Sequence, residues 1–143
     1  MTGTLRVGVV GTGSLGYHHA RILRDVRAAA FAGFYELDAE RAHTVSRELG
    51  VRAYSSLDAL LADVDAVSIV VPTRAHHAVA RQALAAGKHL LIEKPMTATL
   101  DEADDLLALA RARGMLVQIG HIERFNRAIR AALPHVDHPL FMD

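Results

Sequence analysis

A doubly wound α/β fold with a parallel sheet is what this sequence predicts, and three observations predict it. Short apolar, β-branched runs alternate with stretches whose apolar residues recur at helical spacing. Three times a helical stretch ends on glycine and an extended run opens at the next residue: Gly50-Val51, Gly87-Lys88 and Gly114-Met115. The first apolar run is followed at once by Gly11, Gly13 and Gly16. Strict alternation of strand and helix requires right-handed crossovers, which lay successive strands parallel in a sheet covered on both faces.

Each element has its own signal. Leu5–Val10 reads as the first strand, and Ser14 as the cap of a helix carrying Leu15, Ile22, Leu23 and Val26. Ala29–Glu36 is a second buried strand. Asp38 caps a helix whose Ala42, Val45 and Leu49 share one face, and Gly50 ends it. Val51–Tyr54 is a short third strand, and Ser55 or Ser56 opens a small helix through Leu61. Ala66–Val71, apolar nearly throughout, is the most strand-like run and is broken by Pro72. A helix from about Ala75 to Gly87 leads to a strand at Lys88–Ile92. Thr99-Leu100-Asp101-Glu102 is a capping box opening a long helix to Gly114, and Met115–Ile119 is the sixth strand. Beyond Gly120 a helical stretch runs to about Leu133. Pro134, Pro139 and the apolar Leu140-Phe141-Met142 follow, where another strand is expected to start.

Composition narrows the function classes. The 143 residues, 51% of them hydrophobic, suffice for about one domain with a real core and exclude a disordered chain. Sixteen basic and sixteen acidic residues cancel, and no basic patch dominates, which argues against a nucleic-acid partner. The absence of cysteine excludes disulfides and thiol chemistry. The nine histidines show no H-x-x-x-H or H-E-x-x-H spacing, so no metal site is expected. The first strand begins without the charged and apolar regions of a signal peptide, and no apolar run approaches the roughly 20 residues that span a bilayer. The expectation is a cytoplasmic chain with no membrane partner.

The residues with chemistry in prospect gather where strands end. Gly11-Thr12-Gly13-Ser14-Leu15-Gly16 is a G-x-G-x-x-G turn between strand and helix. Gly11 permits the tight turn, Gly13 lets backbone approach a pyrophosphate, and Gly16 lets helix pack on strand. Backbone N–H groups of Gly13, Ser14 and Leu15 would then face an anion at the helix N-terminus. Glu36 follows the second strand, twenty residues beyond Gly16, where an acid accepts both hydroxyls of an adenosine ribose and repels a 2′-phosphate. That spacing predicts NAD in preference to NADP, with Arg41 directed to solvent on the next helix. Pro72, Thr73 and His76 follow the fourth strand at the carboxyl edge. Thr73 is either an N-cap or a cofactor contact, and His76 and His77 are either surface histidines or cleft residues. His18 and His19 are adjacent on a helix and face different directions. Glu93-Lys94-Pro95 closes the fifth strand at the same edge, where Lys94 could orient a substrate hydroxyl, and Lys94-Pro95 is the best candidate for a cis peptide.

These residues together resemble the N-terminal half of the Gfo/Idh/MocA oxidoreductase family. The resemblance rests on Gly11 to Gly16, Pro72-Thr73-Arg74-Ala75-His76, and Ala86-Gly87-Lys88-His89 leading into Glu93-Lys94-Pro95. It implies a Rossmann domain followed by a second α/β domain, and NAD(P)-dependent oxidation or reduction of a sugar, cyclitol or nucleotide-sugar hydroxyl carbon. It implies cofactor contacts from Gly11, Thr12, Gly13, Ser14, Leu15, Gly16, Glu36, Pro72, Thr73, His76 and Glu93. Many members have Asp where Glu36 stands. It makes Lys94 the substrate-orienting lysine, with a cis bond to Pro95. The run Gly120-His121-Ile122-Glu123-Arg124-Phe125-Asn126 is similar to the branch acting on UDP-N-acetylhexosamine derivatives. Residues 1–120 are then the dinucleotide-binding domain and 121–143 the opening of a second domain otherwise missing. The remaining catalytic residues of such enzymes would lie in that second domain, so this chain alone is expected to bind cofactor without turnover. The apolar tail also predicts a homo-oligomer. The alternative is a non-catalytic NAD-binding sensor or docking module, which has no need of a substrate lysine.

Overall fold

The computed structural model describes residues 3–136. Its strands are β1 Leu5–Val10, β2 Ala29–Tyr35, β3 Ala53–Tyr54, β4 Ala66–Ile69, β5 His89–Ile92 and β6 Val117–Ile119. Between them run α1 Ser14–Asp25, α2 Ala39–Leu49, α3 Leu57–Asp63, α4 Thr73–Ala85 and α5 Leu100–Arg113. The strands form one parallel sheet in the order β3-β2-β1-β4-β5-β6. This is the doubly wound Rossmann arrangement expected from the alternation. The chain leaves β1 in one direction and returns to its other side at β4, and the crevice at that reversal is where such sheets bind ligands.

Alternation along each strand divides the core between two faces. Val9, Phe34 and Val70 pack with Ala20 of α1 and with Val45 and Leu49 of α2. Val10, Val67, Ile69, Leu90 and Ile92 pack on the opposite face with Leu60, Leu84 and Leu106 of α3, α4 and α5. Phe34 is fully buried, which stabilises the fold by about 1.5–3 kcal/mol. Among the described residues, no helix is long and apolar enough to cross a membrane.

The strands start later than the glycine signals suggest, at Ala53, His89 and Val117. The reason is local. The N–H groups of Val51, Lys88 and Met115 turn back to the carbonyls of Ser46, Ala83 and Ala110. A residue donating to the helix it has just left cannot pair in the sheet. Helix starts are corrected as well. Gly13, not Ser14, occupies the N-cap of α1, and no side chain caps that helix. Helix α4 begins at Thr73, two residues before the expected Ala75, so Thr73 is its first helical residue and its side chain caps nothing. Strand β4 stops at Ile69, because the chain is already turning into Pro72.

The capping box is present: Thr99 Oγ1 accepts from Glu102 N–H while the Glu102 carboxylate accepts from Thr99 N–H. Thr99→Ala should cost about 1 kcal/mol, read as a lowered urea midpoint with an unchanged m-value. Beyond β6 the expected helical stretch is divided into a 3-10 turn at Ile122–Phe125, a helix α6 at Arg127–Ala132 and a second 3-10 turn at Leu133–His135. Asn126, in extended backbone, breaks it and caps α6 by accepting from Ala128 N–H. The strand expected at Leu140-Phe141-Met142, on which self-association was argued, lies outside the described residues.

Candidate functional site

The turn from β1 into α1 is built to approach an anion. A side chain at Gly16 would overlap the Gly11 carbonyl, so the helix can pack this closely only with glycine there. At Gly13 the opposite holds: an added Cβ would meet nothing within 4 Å. That glycine keeps a space open rather than relieving a clash inside the fold. With no capping side chain on α1, the N–H groups of Ser14 and Leu15 have no partner within the helix, and the helix dipole adds positive potential. An open cradle ringed by unspent donors fits a pyrophosphate.

Thr12 plays another part. It is fully buried, and its N–H and hydroxyl donate to Glu36 Oε2 at 2.7 and 3.1 Å. Thr12 therefore holds Glu36 instead of presenting its own groups to phosphate. Glu36 Oε1 accepts from Asp38 N–H at 3.1 Å. Partial burial pushes the Glu36 carboxyl up, but the hydrogen bonds from Thr12, Asp38 and Leu37 outweigh it and leave the value below the ordinary 4.5. The stability this carboxylate contributes is complete above its unfolded-state value and is lost as pH falls through the lowered folded-state one. Arg41, expected in solvent, instead donates from Nε to the Thr12 carbonyl. Gly13, Glu36, Arg41, Pro72 and Arg74 line one cleft of about 670 Å³ across the carboxyl ends of β1, β2 and β4. Thr73 is not among its lining residues.

At the β4–β5 side the structure separates the sequence candidates. His76 is 1% exposed, and its Nδ1 and Nε2 lie 2.9 Å from the carbonyl oxygens of Pro95 and Val71. It has no surface to offer a cofactor. It ties the loop after β5 to the end of β4, beneath the cleft. The Lys94-Pro95 bond is cis, as the resemblance implies. Lys94 is exposed and lines a second cleft of about 500 Å³ with Gly120, His121 and Arg124. Glu93 is buried, with Oε2 3.3 Å from Lys94 N–H and Oε1 3.4 Å from His19 Nε2. The sequence shows His18 and His19 as helix neighbours facing different directions but gives His19 no partner. The structure sends His18 outward against Tyr17 and His19 inward.

Known proteins share this chain's sequence pattern and fold. Residues 5–121 match the GFO_IDH_MocA model, described as an oxidoreductase family with an NAD-binding Rossmann fold. The chain is 49% identical over 126 residues to a UDP-N-acetylglucosamine 3-dehydrogenase of Acidithiobacillus ferrooxidans, covering 88% of this chain and 40% of that protein. It is 34% identical to the scyllo-inositol 2-dehydrogenase (NAD(+)) of Bacillus subtilis, covering 93% of this chain and 40% of that one. Among solved structures, the Acidithiobacillus enzyme superposes with a TM-score of 0.86 at 47% identity, over 92% of this chain and 43% of its own. The biliverdin reductase of Synechocystis, solved with biliverdin and NADP+, superposes at 0.81 and 34% identity over 92% and 43%. The chain thus spans about 40% of the length of the curated relatives it matches.

Proposed function

We propose, proceeding from the fact that this chain belongs to the Gfo/Idh/MocA oxidoreductase family and carries its NAD-binding Rossmann fold, that it is the cofactor half of a dehydrogenase for a nucleotide sugar. The observation that carries the reading is Lys94. It stands exposed at the carboxyl end of β5, in a cleft of its own beside the crevice where the sheet reverses. The similarity to a UDP-N-acetylglucosamine 3-dehydrogenase supports the substrate class. Bound NAD supplies the hydride acceptor. The Gly13 turn holds the pyrophosphate, Glu36 holds the adenosine ribose, and Lys94 orients the substrate hydroxyl. Residues from about 121 onward begin a second domain that completes the substrate cleft.

The test uses the source gene expressed to its own stop codon, followed by NADH absorbance with UDP-N-acetylglucosamine and with inositols. Turnover of the nucleotide sugar is expected. Lys94→Ala should lower kcat by about a hundredfold, on the scale of a lost general acid–base group, with NAD affinity unchanged. A Lys94→Ala enzyme of normal kcat would remove Lys94 from the reaction.

NAD is expected to bind more tightly than NADP, because the Glu36 carboxylate opposes a 2′-phosphate at close range. Glu36→Ser should narrow that preference by about tenfold, since Arg41 stays beside the ribose position to meet the added charge. Adding Arg41→Ala should take the gain in NADP affinity away. Calorimetric titration of both cofactors checks this, and equal affinities in the unaltered chain would unseat Glu36.

A further inference from the structure

Ser68, His19 and Glu93 form a chain of polar groups, buried at both ends, that neither the phosphate turn nor the ribose acid uses. Ser68 lies on the face of β4 toward α1, 2% exposed, with Oγ 2.8 Å from His19 Nδ1. His19 Nε2 lies 3.4 Å from Glu93 Oε1. A Cβ at Gly120, just beyond β6, would come within 2.6 Å of the same Oε1, so the side chain is confined between α1 and the chain leaving β6. A serine this buried reaches no substrate, which rules out its use as a nucleophile.

The proton positions follow from the partners. A carboxylate only accepts, so the ring must carry its proton on Nε2, leaving Nδ1 to accept from the Ser68 hydroxyl. Burial pushes the His19 imidazole down and the charge of Glu93 pulls it up, and burial prevails, with His18 adding to it. Geometry aims Nε2 of the ring at Glu93 and Nδ1 at Ser68.

Place settles what Glu93 could serve. The pyrophosphate cradle is at Gly13 and the ribose acid follows β2, so the adenosine half of a dinucleotide lies over β1 and β2. The other half must lie over β4 and β5, and Glu93 is the first residue beyond β5. We propose that His19 is a positioning residue, backed by Ser68, that fixes the Glu93 carboxylate for the nicotinamide group of the cofactor. This rests on the cofactor reading above. The 3.4 Å separation is long for a hydrogen bond, and a side-chain shift of a few tenths of an ångström closes it.

ADP-ribose, which lacks nicotinamide, separates this role from a general one. Calorimetry on the 143-residue chain with His19→Ala should show NAD weakened about tenfold and ADP-ribose changed less than about twofold, on the scale of one lost charge-assisted hydrogen bond. His19→Gln, which can still offer an N–H to Glu93, should recover most of the loss. The His19→Ala/Glu93→Gln pair should be no weaker than Glu93→Gln alone. Equal loss of NAD and ADP-ribose would overturn the proposal, since it would mean His19 merely supports the phosphate helix. For a variant that does not fold, nitrogen-15 NMR of the unaltered chain decides. The Nε2–H tautomer should be seen, with NAD moving the His19 resonances and ADP-ribose leaving them in place. Equal movement by both ligands would overturn the proposal. Failure of the unaltered chain to bind either ligand would instead remove the cofactor reading itself.

Discussion

Gly13→Val is expected to abolish NAD binding while leaving the protein folded. The two halves of that statement rest on one observation: a Cβ at this position meets nothing within 4 Å. The fold therefore has no cause to resist the side chain, and the space it fills is the space the phosphates need. Loss of at least about a hundredfold in affinity, about 2.8 kcal/mol, is expected by calorimetry, with circular dichroism and melting temperature unchanged. Gly16→Ala is the control that behaves otherwise. Its Cβ would overlap the Gly11 carbonyl, so α1 must move off β1 and stability falls together with binding. A Gly13→Val chain that binds NAD normally would show that the turn is not the phosphate site.

Gly33→Ala is expected to destabilise the protein by about 3 kcal/mol or more, although Gly33 touches no part of the site. Gly33 sits in β2 at φ +131°, a conformation that side-chain-bearing residues rarely adopt. A Cβ there would also collide with the Arg52 carbonyl, which accepts from Phe34 N–H and joins β2 to the start of β3. The register between β1 and β2 slips at this point, from Val7 opposite Phe31 to Gly8 opposite Gly33. Strain and collision add, since neither can relax without breaking the pairing. A fall in melting temperature of about 10 °C should result for a domain of this size. A drop of only a few degrees would mean that the strand can realign. Because β2 leads directly into Glu36, a Gly33→Ala chain that still folds should lose NAD affinity as well.

The sequence by itself determined the order and type of every element of the sheet, and it put the glycine turn and Glu36 at the ends of neighbouring strands, where they line one cleft. These signals are local. Glycines past helix ends, β-branched runs, the Thr99–Glu102 box and the interval from Gly16 to Glu36 all act within a span a reader can scan, because caps, turns and one βαβ unit are short-range physics. Local signals were less exact at boundaries. The strands start two or three residues after Gly50, Gly87 and Gly114, because a helix reclaims the first N–H beyond its glycine. Nothing nearby in the chain announced Gly33, whose need for glycine comes from a carbonyl on the next strand.

Only the tertiary structure decided what the polar side chains do. Thr12, a cofactor contact by resemblance, donates to Glu36 across 24 residues, and Arg41, expected in solvent, reaches from α2 to the Thr12 carbonyl across 29. His76 is a buried tie, not a cleft residue, because the Pro95 carbonyl reaches it from a different strand end. His19 looked like one of two neighbouring histidines on a helix, and it gained its partner Ser68 from a strand 49 residues away. A hydrogen bond between distant residues leaves no periodicity and no spacing in either segment. It exists only once β1, β4 and β5 lie side by side, and burial then makes leaving such groups unpaired costly enough that each must have its partner.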